Sequence, residues 1–365
     1  MANDDLITLG RPERSLPQDL LHNPGGFVWW YVDALDEDLN GIVAIWSFGL
    51  PFLPGYLQAA RDGRPETPAA HPSLNIALYR RGRPCFYLLQ HYASQDAEWR
   101  DNYWRFGNTE ITRRQSEDIR TVTASINCAI PRSQYRLQGE LSVAGPIPRL
   151  SPELESVPNP RHEWCPVTGP ARCTAELQWS PDASFSLDAP AYHDRNGGDR
   201  PLDQLGIDHW IWGRTVGPGG TRIHYLVWPK GDDQQAETWL FDIAPDGLIT
   251  RRSMSEPAVE GQTRAWFGVP YWRNVHLGGQ GNIRTGRIVE DGPFYLRSIN
   301  AGTDPAGNPA AGWGEWIRPD RIDLHAHRPL VRMRVHRPHD RNSVWLPLFV
   351  GPRSTRIRRL LGVGG

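Results

Sequence analysis

The stretch that decides the fold is Phe27-Val-Trp-Trp-Tyr-Val32, which is followed by Ile42-Val-Ala-Ile-Trp-Ser-Phe48. Both runs are rich in β-branched and aromatic residues, which favour strands. Similar short runs, separated by turn residues, recur at 74–79, 85–89, 135–141, 174–179, 222–228 and 238–243. The 33 Pro and 36 Gly scattered through the chain leave little room for long helices. The pattern predicts an all-β protein built from sandwiches or barrels.

The length indicates either two domains or one large all-β domain, because the chain has 365 residues. A stretch dense in turn residues runs from Asp194 to Pro201, and the strand pattern resumes at Trp210. We therefore place a domain boundary near residue 200, with one domain at 1–200 and a second at 201–365. Segment 93–123 is polar and charged and is interpreted as an insertion or a short helix. The Pro-rich segment 142–160 is interpreted as a surface loop.

Charge and cysteine content exclude several classes of partner. The 40 Lys and Arg residues nearly balance the 41 Asp and Glu residues, so no nucleic-acid partner is expected. The four cysteines form no CxxC pair, which argues against a zinc site, and we expect free thiols in a reducing cytoplasm.

No signal peptide is evident at the N-terminus. The apolar run 41–57 is interrupted by Pro51 and Pro54 and is too short for a membrane span. Its end, Pro51–Leu57, is expected either to make peripheral contact with the inner membrane face or to line a pocket mouth.

Two short stretches carry the residues suited to chemistry, His162-Glu-Trp164-Cys-Pro166 and Ala191-Tyr-His-Asp194-Arg-Asn196. They supply a carboxylic acid (Asp194), a phenol (Tyr192), an imidazole (His162) and an indole (Trp164). This set suits acid chemistry on an apolar, electron-rich substrate. The 16 Trp residues indicate an aromatic-lined cavity, although aromatic residues are also ordinary strand formers.

With these motifs in place, the chain resembles the carotenoid 1,2-hydratases, also called hydroxyneurosporene synthases, within the lipocalin-like hydratase and cyclase group. The matching segments occur in order along the chain, at 25–33, 71–79, 162–166, 192–196, 201–202, 210–212 and 291–295. The resemblance implies two consecutive lipocalin-like β-domains with an apolar cavity. In that family a His-x-Trp pair and a Tyr-x-Asp pair are assigned to the active site. They correspond here to His162 and Trp164 and to Tyr192 and Asp194, with the Asp as proton donor.

The chemistry of these residues agrees with hydration of a terminal isoprenoid double bond. The acid must stay protonated although a free Asp titrates near ~3.9, and burial among aromatic residues raises a carboxyl pKa. Aromatic faces stabilise the resulting tertiary cation by about 0.5–2 kcal/mol each. A neutral His162 can orient and deprotonate the attacking water. No cofactor is required by this scheme. The competing interpretation of Asp194 is an ordinary turn residue, because Asp-Arg-Asn-Gly-Gly is a common turn composition.

A substrate-binding face is expected on the first strand. Successive side chains of a strand point to opposite faces, so Trp29, Tyr31 and Asp33 share one face. An Asp beside Trp and Tyr makes Asp33 a second candidate for the proton donor. The simpler interpretation, which we favour, is a strand-end Asp that reaches solvent.

Further binding candidates follow from the same arguments. Trp210 and Trp212 share a strand face and would either line a cavity or fill a core, and Asn75 lies in the matching segment 71–79. The C-terminal histidines (325, 327, 336 and 339) include a His-x-His pair, which on a strand could hold zinc. Their Arg-rich neighbours oppose a bound cation, so we predict a solvated or anion-facing strand and no metal site.

Three functions remain open on the sequence. The first is a hydratase with Asp194 as acid. The second is a cyclase or pericyclase of terpenoid or polyene metabolism that uses the same acid and pocket. The third is a non-enzymatic carrier of an apolar ligand. The partner is an apolar isoprenoid or polyene in each case. Segment 93–123, Cys165, Arg195 and the Arg-rich tail depart from the hydratase pattern, so the substrate is not restricted to carotenoids.

Overall fold

The computed structural model describes residues 6–11, 18–154, 162–231, 235–253, 257–347 and 349–352. In these residues the chain forms strands almost throughout, with two short helices, α1 (Tyr56–Arg61) and α2 (Arg328–Arg332). The all-β prediction is therefore confirmed. The strands, in chain order, are β1 (Thr8–Leu9), β2 (Phe27–Leu35), β3 (Gly41–Phe48), β4 (Pro72–Arg80), β5 (Arg83–His91), β6 (Ala97–Arg100), β7 (Tyr103–Phe106), β8 (Thr109–Ser116), β9 (Ile119–Ala129), β10 (Arg136–Pro146), β11 (Arg149–Leu150), β12 (Glu163–Ser180), β13 (Ala183–Gly198), β14 (Ile207–Gly217), β15 (Gly220–Pro229), β16 (Glu237–Ile243), β17 (Leu248–Arg251), β18 (Ala258–Arg264), β19 (Pro270–His276), β20 (Asn282–Asp291), β21 (Tyr295–Thr303), β22 (Pro309–Ile317), β23 (Val335–His336) and β24 (Gly351–Pro352).

The strands form two sheets. The first has the order β23-β5-β4-β3-β2-β13-β12-β10-β9-β8-β7-β6, with β1 added to β12 and β24 to β5. The second has the order β11-β17-β16-β15-β14-β22-β21-β20-β19-β18. Neighbours along the main path of the first sheet run antiparallel from β5 to β6. Most of them are consecutive strands joined by short turns, whereas β2 pairs with the distant strand β13.

Three apolar clusters fill the space that these sheets enclose. One lies within the first sheet, which curls so that Phe86 of β5 packs against Trp179 of β12. A smaller one lies within the second sheet and includes Leu226 and Trp316. The third is shared by the two sheets and contains side chains from the outer face of each. Each sheet therefore buries both faces across its central strands.

Strand β2 shows how the sequence pattern produces this arrangement. Trp30 and Val32 belong to the cluster inside the first sheet, whereas Tyr31 belongs to the cluster between the sheets, with Trp29 packed against it. The shared face predicted for Trp29, Tyr31 and Asp33 is confirmed, and this face points toward the second sheet.

Two segments differ from the prediction. Segment 93–123 holds β6 to β8 and the start of β9, not an insertion or a helix, and its only helical turn is the 3₁₀ turn Ser94–Asp96 within the described residues. Trp104, Phe106 and Ile111 from this segment are buried in the first sheet. The charged residues that suggested a solvated insertion lie partly on these strands and partly in the turns between them, such as Asp101, Glu117 and Asp118. Segment 142–160 begins inside β10, which ends at Pro146, and residues 155–161 lie outside the described part.

The short strand β11 already pairs with β17 of the second sheet, and the chain then passes fully from the first sheet to the second between β13 and β14, on either side of residue 200. Near the C-terminus it returns, because β23 and β24 both pair with β5 of the first sheet. The division into domains at 1–200 and 201–365 stays a prediction. His325 and His327 precede α2 and do not lie on a strand, so the strand predicted for this His-x-His pair is wrong.

The segment Pro51–Leu57 packs inward. Leu53, Tyr56 and Leu57 are buried, and Phe52 lines a cleft between the sheets. Of the two alternatives for this segment, the structure supports a place in the wall of the cleft, and the peripheral membrane contact stays a prediction. Among the described residues, no helix has the length and apolar character that crossing a membrane requires.

Candidate active site

A cleft with two compartments lies between the sheets. The outer compartment encloses about 820 Å³, including its opening to solvent, and is largely apolar. The inner compartment encloses about 320 Å³. Both are lined by Trp29, Tyr31, Glu315 and Ile317, so they share walls and form one continuous site. Volumes of this order accommodate small organic ligands.

Strand register brings the predicted acid to the inner compartment. Tyr192, Asp194 and Asn196 alternate along β13 and therefore point to one face. On the neighbouring strand β2, Tyr31 is paired with Asp194, and Trp29 is paired with Asn196. Asp194, Asn196, Tyr31 and Trp29 all line the inner compartment. The turn composition of residues 194–198 is misleading, because β13 continues to Gly198.

Asp194 is a buried acid with neutral hydrogen-bond partners. It is 2% exposed. The indole Nε1 of Trp164 donates to its Oδ2 at 2.9 Å, and the amide Nδ2 of Asn196 donates to its Oδ1 at 3.1 Å. Burial raises the pKa of Asp194 well above its ordinary value, and the neighbouring Trp164 and Tyr192 offset this only in part. The group therefore stays protonated at a pH where an exposed Asp is ionised.

His162 lies beside this acid in an aromatic cage. Its Nε2 is 3.1 Å from the Oδ1 of Asn196, and its ring contacts Phe27, Trp29 and Trp210 at centroid distances of 5.7, 5.8 and 6.1 Å. Burial lowers the pKa of His162 to about 4. The imidazole is therefore neutral near neutral pH, as a base requires.

Asp33 does not reach solvent, so the interpretation favoured from the sequence is wrong. It is 0% exposed and forms a buried ion pair with Arg214 of the second sheet. Burial raises the pKa of Asp33, and the Arg214 guanidinium opposes that rise. A carboxyl held against a guanidinium is a poor proton donor, because the cation favours its ionised form. Asp33 also lies outside the lining of the cleft, whereas Asp194 lines the inner compartment. On the sheet, Asp33 is paired with Tyr192, which lines neither compartment.

The other predicted residues fall into two groups. Trp210 and Trp212 line the inner compartment together with His162, and Asn75 lines the outer one. Trp164 and Tyr192 are buried behind Asp194, outside the set of residues that line the two compartments. Trp164 acts on the acid through its N–H and does not offer its ring face to the inner compartment.

Asn196 and Glu315 are two polar lining residues among those that the sequence reasoning missed. Asn196 joins His162 to Asp194, but the following Gly-Gly made it resemble part of a turn. Glu315 stands where the two compartments meet, and its Oε1 accepts from Tyr295 Oη at 2.6 Å and from Arg297 Nε at 3.1 Å. Burial raises the pKa of Glu315, and Arg297 opposes that rise. The alternation Trp313-Gly-Glu315-Trp316 gave no signal for a carboxyl facing inward.

Comparison with known proteins identifies the family of the chain. The family model of carotenoid hydratase CrtC matches residues 45–344. The chain belongs to the carotenoid hydratase CrtC family. This match contains every predicted catalytic residue, and it covers both strands that supply Asp194 and Trp164. It confirms the resemblance drawn from the sequence motifs.

Individual relatives of this CrtC-family chain are distant. An acyclic carotenoid 1,2-hydratase of Thiocapsa roseopersicina is 28% identical over 333 residues, which cover 89% of this chain and 76% of that protein. A hydroxyneurosporene dehydrogenase of Chlorobaculum tepidum is 24% identical over 373 residues, covering 93% of this chain and 95% of that protein. The crystal structure of kievitone hydratase from Nectria haematococca superposes with a TM-score of 0.42 at 8% identity, covering 84% of this chain and 93% of that chain.

Proposed function

We propose that this protein hydrates a carotenoid or a related polyene, adding water across a terminal isoprenoid double bond with Asp194 as proton donor. Membership of the CrtC family and the likeness to a carotenoid 1,2-hydratase support hydration. The observation that carries the choice of acid is the burial of Asp194 between two neutral partners, the Trp164 indole and the Asn196 amide. A carboxyl in such surroundings keeps its proton near neutral pH and can deliver it to carbon.

Protonation of the terminal double bond leaves a tertiary cation, and the inner compartment suits that charge. Its walls offer aromatic faces, each of which stabilises a nearby cation by about 0.5–2 kcal/mol. The aromatic side chains that line it are Trp29, Tyr31, Trp210, Trp212 and Tyr225. The Glu315 carboxyl on the same wall adds a group that favours positive charge in the cleft when ionised.

The groups behind the acid stabilise the carboxylate that proton transfer produces. The N–H of Trp164 and the amide N–H of Asn196 each donate to one oxygen of Asp194. These bonds strengthen as negative charge develops on the carboxyl, which lowers the barrier to protonation. Water then bonds to the cation and loses a proton to neutral His162. Return of that proton to Asp194 restores the enzyme, so alkene and water give a tertiary alcohol.

The outer compartment can accommodate the rest of the polyene. The Phe52 ring contacts the Phe294 and Tyr295 rings, at centroid distances of 5.4 and 6.0 Å. These rings line the outer compartment, which joins the inner one through Trp29 and Tyr31. A rod-shaped hydrocarbon can therefore lie in the outer compartment with its end at Asp194. The scheme uses protein side chains and water alone.

The test is product analysis in labelled water. The purified protein is incubated with lycopene-type carotenes and other polyprenoids in H₂¹⁸O, and the products are identified by mass spectrometry. A product that is heavier by one labelled water, formed by the wild type and lost in Asp194→Asn, is the expected result.

Two other outcomes would contradict hydration. An isomer of unchanged mass, formed with the same dependence on Asp194, would show a cyclase in which water is kept from the cation. Recovery of bound but unchanged substrate across the whole panel would favour a carrier of apolar ligands.

A further inference from the structure

A single amide side chain links the acid and the base of the proposed site. Asn196 is 3% exposed and bonds on both sides. Its Nδ2 donates to Oδ1 of Asp194, and its Oδ1 lies 3.1 Å from Nε2 of His162. An amide oxygen accepts hydrogen bonds and cannot donate them, so the proton between Asn196 and His162 must sit on Nε2. The other ring nitrogen, Nδ1, then carries the lone pair.

We propose that Asn196 is a positioning residue that holds His162 as the Nε2–H tautomer and thereby makes Nδ1 the atom that takes the proton from the attacking water. This inference rests on the proposed function for the water step. The assignment of the tautomer itself depends only on the hydrogen bonds of the folded protein.

The surroundings of Nδ1 support this role. Nδ1 is buried and has no hydrogen-bond partner among the described residues, although His162 lines the inner compartment. Leaving such a buried acceptor without a partner carries a free-energy cost. A water molecule bound in the compartment would remove this cost and would stand beside the site of the cation.

A backbone hydrogen bond and the aromatic cage limit the arrangements open to the ring. The carbonyl of His162 accepts from the Thr8 amide at 2.9 Å, because β1 pairs with the start of β12. Phe27, Trp29 and Trp210 surround the imidazole. With the ring confined, the remaining freedom is the position of its proton, and Asn196 determines that position.

A competing arrangement exists and makes the proposal testable. If the Asn196 amide were turned over, its oxygen could accept the proton of neutral Asp194, and its Nδ2 would donate to His162 Nε2. His162 would then carry its proton on Nδ1 and could not accept one there. The acid proton would also point to Asn196 and away from substrate, so this arrangement is unsuited to catalysis.

The proton balance of the water step follows from the first arrangement. The water oxygen forms its bond to the tertiary carbon while one O–H bond breaks, and that proton moves to Nδ1. The resulting imidazolium returns a proton to the Asp194 carboxylate by way of water, and both groups regain their starting forms. The Asn196 amide keeps all its protons throughout.

The experiment reads the tautomer directly. Protein labelled with ¹⁵N-histidine is measured by long-range ¹H–¹⁵N NMR without substrate, and the His162 signals are assigned from their loss in His162→Gln. The wild type is expected to show a protonated Nε2 and an unprotonated Nδ1. In Asn196→Leu, which has a similar size but no polar group, this preference should be lost. Asn75→Leu, which removes another buried amide of the cleft, should leave the His162 tautomer unchanged.

Kinetics provide the second readout. Asn196→Leu should lower kcat by about 10²-fold, because proper proton transfer contributes at least that much. Asn196→Asp keeps an acceptor for Nε2–H, and its charge raises the His162 pKa from about 4. The acidic limb of its pH profile should therefore move to higher pH. A residue with a purely structural role would lower stability without moving this limb.

The outcomes separate this proposal from the proposed function. A protonated Nδ1 in the wild type, or an unchanged tautomer in a folded Asn196→Leu, would overturn the role of Asn196 whatever the reaction is. The expected tautomer with its loss in Asn196→Leu would support the positioning role even if labelled-water analysis rejected hydration. In that case the proton acceptor would serve another reaction of the same acid.

Discussion

Replacing Asp194 by Asn changes one atom of the carboxyl group and removes the proposed proton donor. The amide has almost the same shape, so the apolar cleft should still bind substrate. Proton transfer by a positioned side chain contributes about 10²–10⁴-fold to turnover. We therefore expect kcat of Asp194→Asn to fall by at least about 10²-fold, with KM changed by less than about threefold.

The cost to the fold can be worked out from the hydrogen bonds. Asp194 accepts from Trp164 on one oxygen and from Asn196 on the other. An Asn at this position has a single carbonyl oxygen, so one of the two buried donors loses its acceptor. Such a loss costs about 1–3 kcal/mol. Since burial already keeps Asp194 protonated, no buried ion pair is broken, and the variant should fold.

Asp33→Asn is the matched control, because it makes the same change on the same face of the sheet. In Asp33→Asn we expect a large loss of stability and little loss of activity. Arg214 is 0% exposed and would lose the carboxylate with which it is paired. Removing one partner of a buried ion pair costs about 3–5 kcal/mol. Activity per folded molecule should stay within a small factor of the wild type.

Both variants are compared by urea unfolding and by mass-spectrometric turnover in H₂¹⁸O with a polyene in detergent micelles. Full activity in folded Asp194→Asn would refute the reasoning about the donor. An inactive but folded Asp33→Asn beside an active Asp194→Asn would transfer the role of acid to Asp33.

Three further predictions concern the acid, the buried histidines and the cleft. In Trp164→Phe, loss of the N–H donor should lower kcat by about 10²-fold and raise the Asp194 pKa, so the alkaline limb of the pH profile should move up; a limb that moves down would contradict this. Burial lowers the His224 pKa from 6.5 to about 3, so between these values the unfolded chain binds a proton that the folded chain does not, and the free energy of unfolding falls as pH falls. His224→Leu should flatten that fall in urea titrations from pH 7 to about pH 4, and an unchanged slope would exclude His224 as a source. Phe52→Ala removes the ring that packs on Phe294 and should raise KM by about tenfold with little change in kcat, whereas a change confined to kcat would place Phe52 elsewhere in the reaction.

The sequence predicted well what depends on local alternation. The shared face of Trp29, Tyr31 and Asp33 followed from the period of a strand, and the structure confirms it. The same rule could have identified β7, since the buried Trp104 and Phe106 alternate with the half-buried Tyr103 and Arg105. The density of charge in 93–123 is a misleading signal, because a half-buried strand needs an apolar residue only at every second position.

The sequence could not predict what depends on contacts between distant segments. Nothing near Asp33 in the chain indicates Arg214, which lies 181 positions away. The pairing of β23 with β5 likewise joins the C-terminal segment to the first sheet. The family resemblance implied that Trp164 and Asp194 share a site, but only the packing shows that the N–H of Trp164, and not its ring face, is directed at the acid.

The two carboxyl groups of this face show how one sheet can separate an acid from an anion. Asp194 is paired with Tyr31 and Asp33 with Tyr192, so the carboxyls are diagonal neighbours on adjacent strands. If both were ionised in this buried layer, each would raise the energy of the other, and Asp33 indeed raises the pKa of Asp194. Arg214 compensates the charge of Asp33 only. Asp33 can therefore be the anion of the pair, while burial, to which the charge of Asp33 adds a smaller effect, keeps Asp194 in the neutral form that can donate a proton. On this argument Arg214 sets the role of Asp33, and the apolar surroundings of Asp194 set the role of the acid.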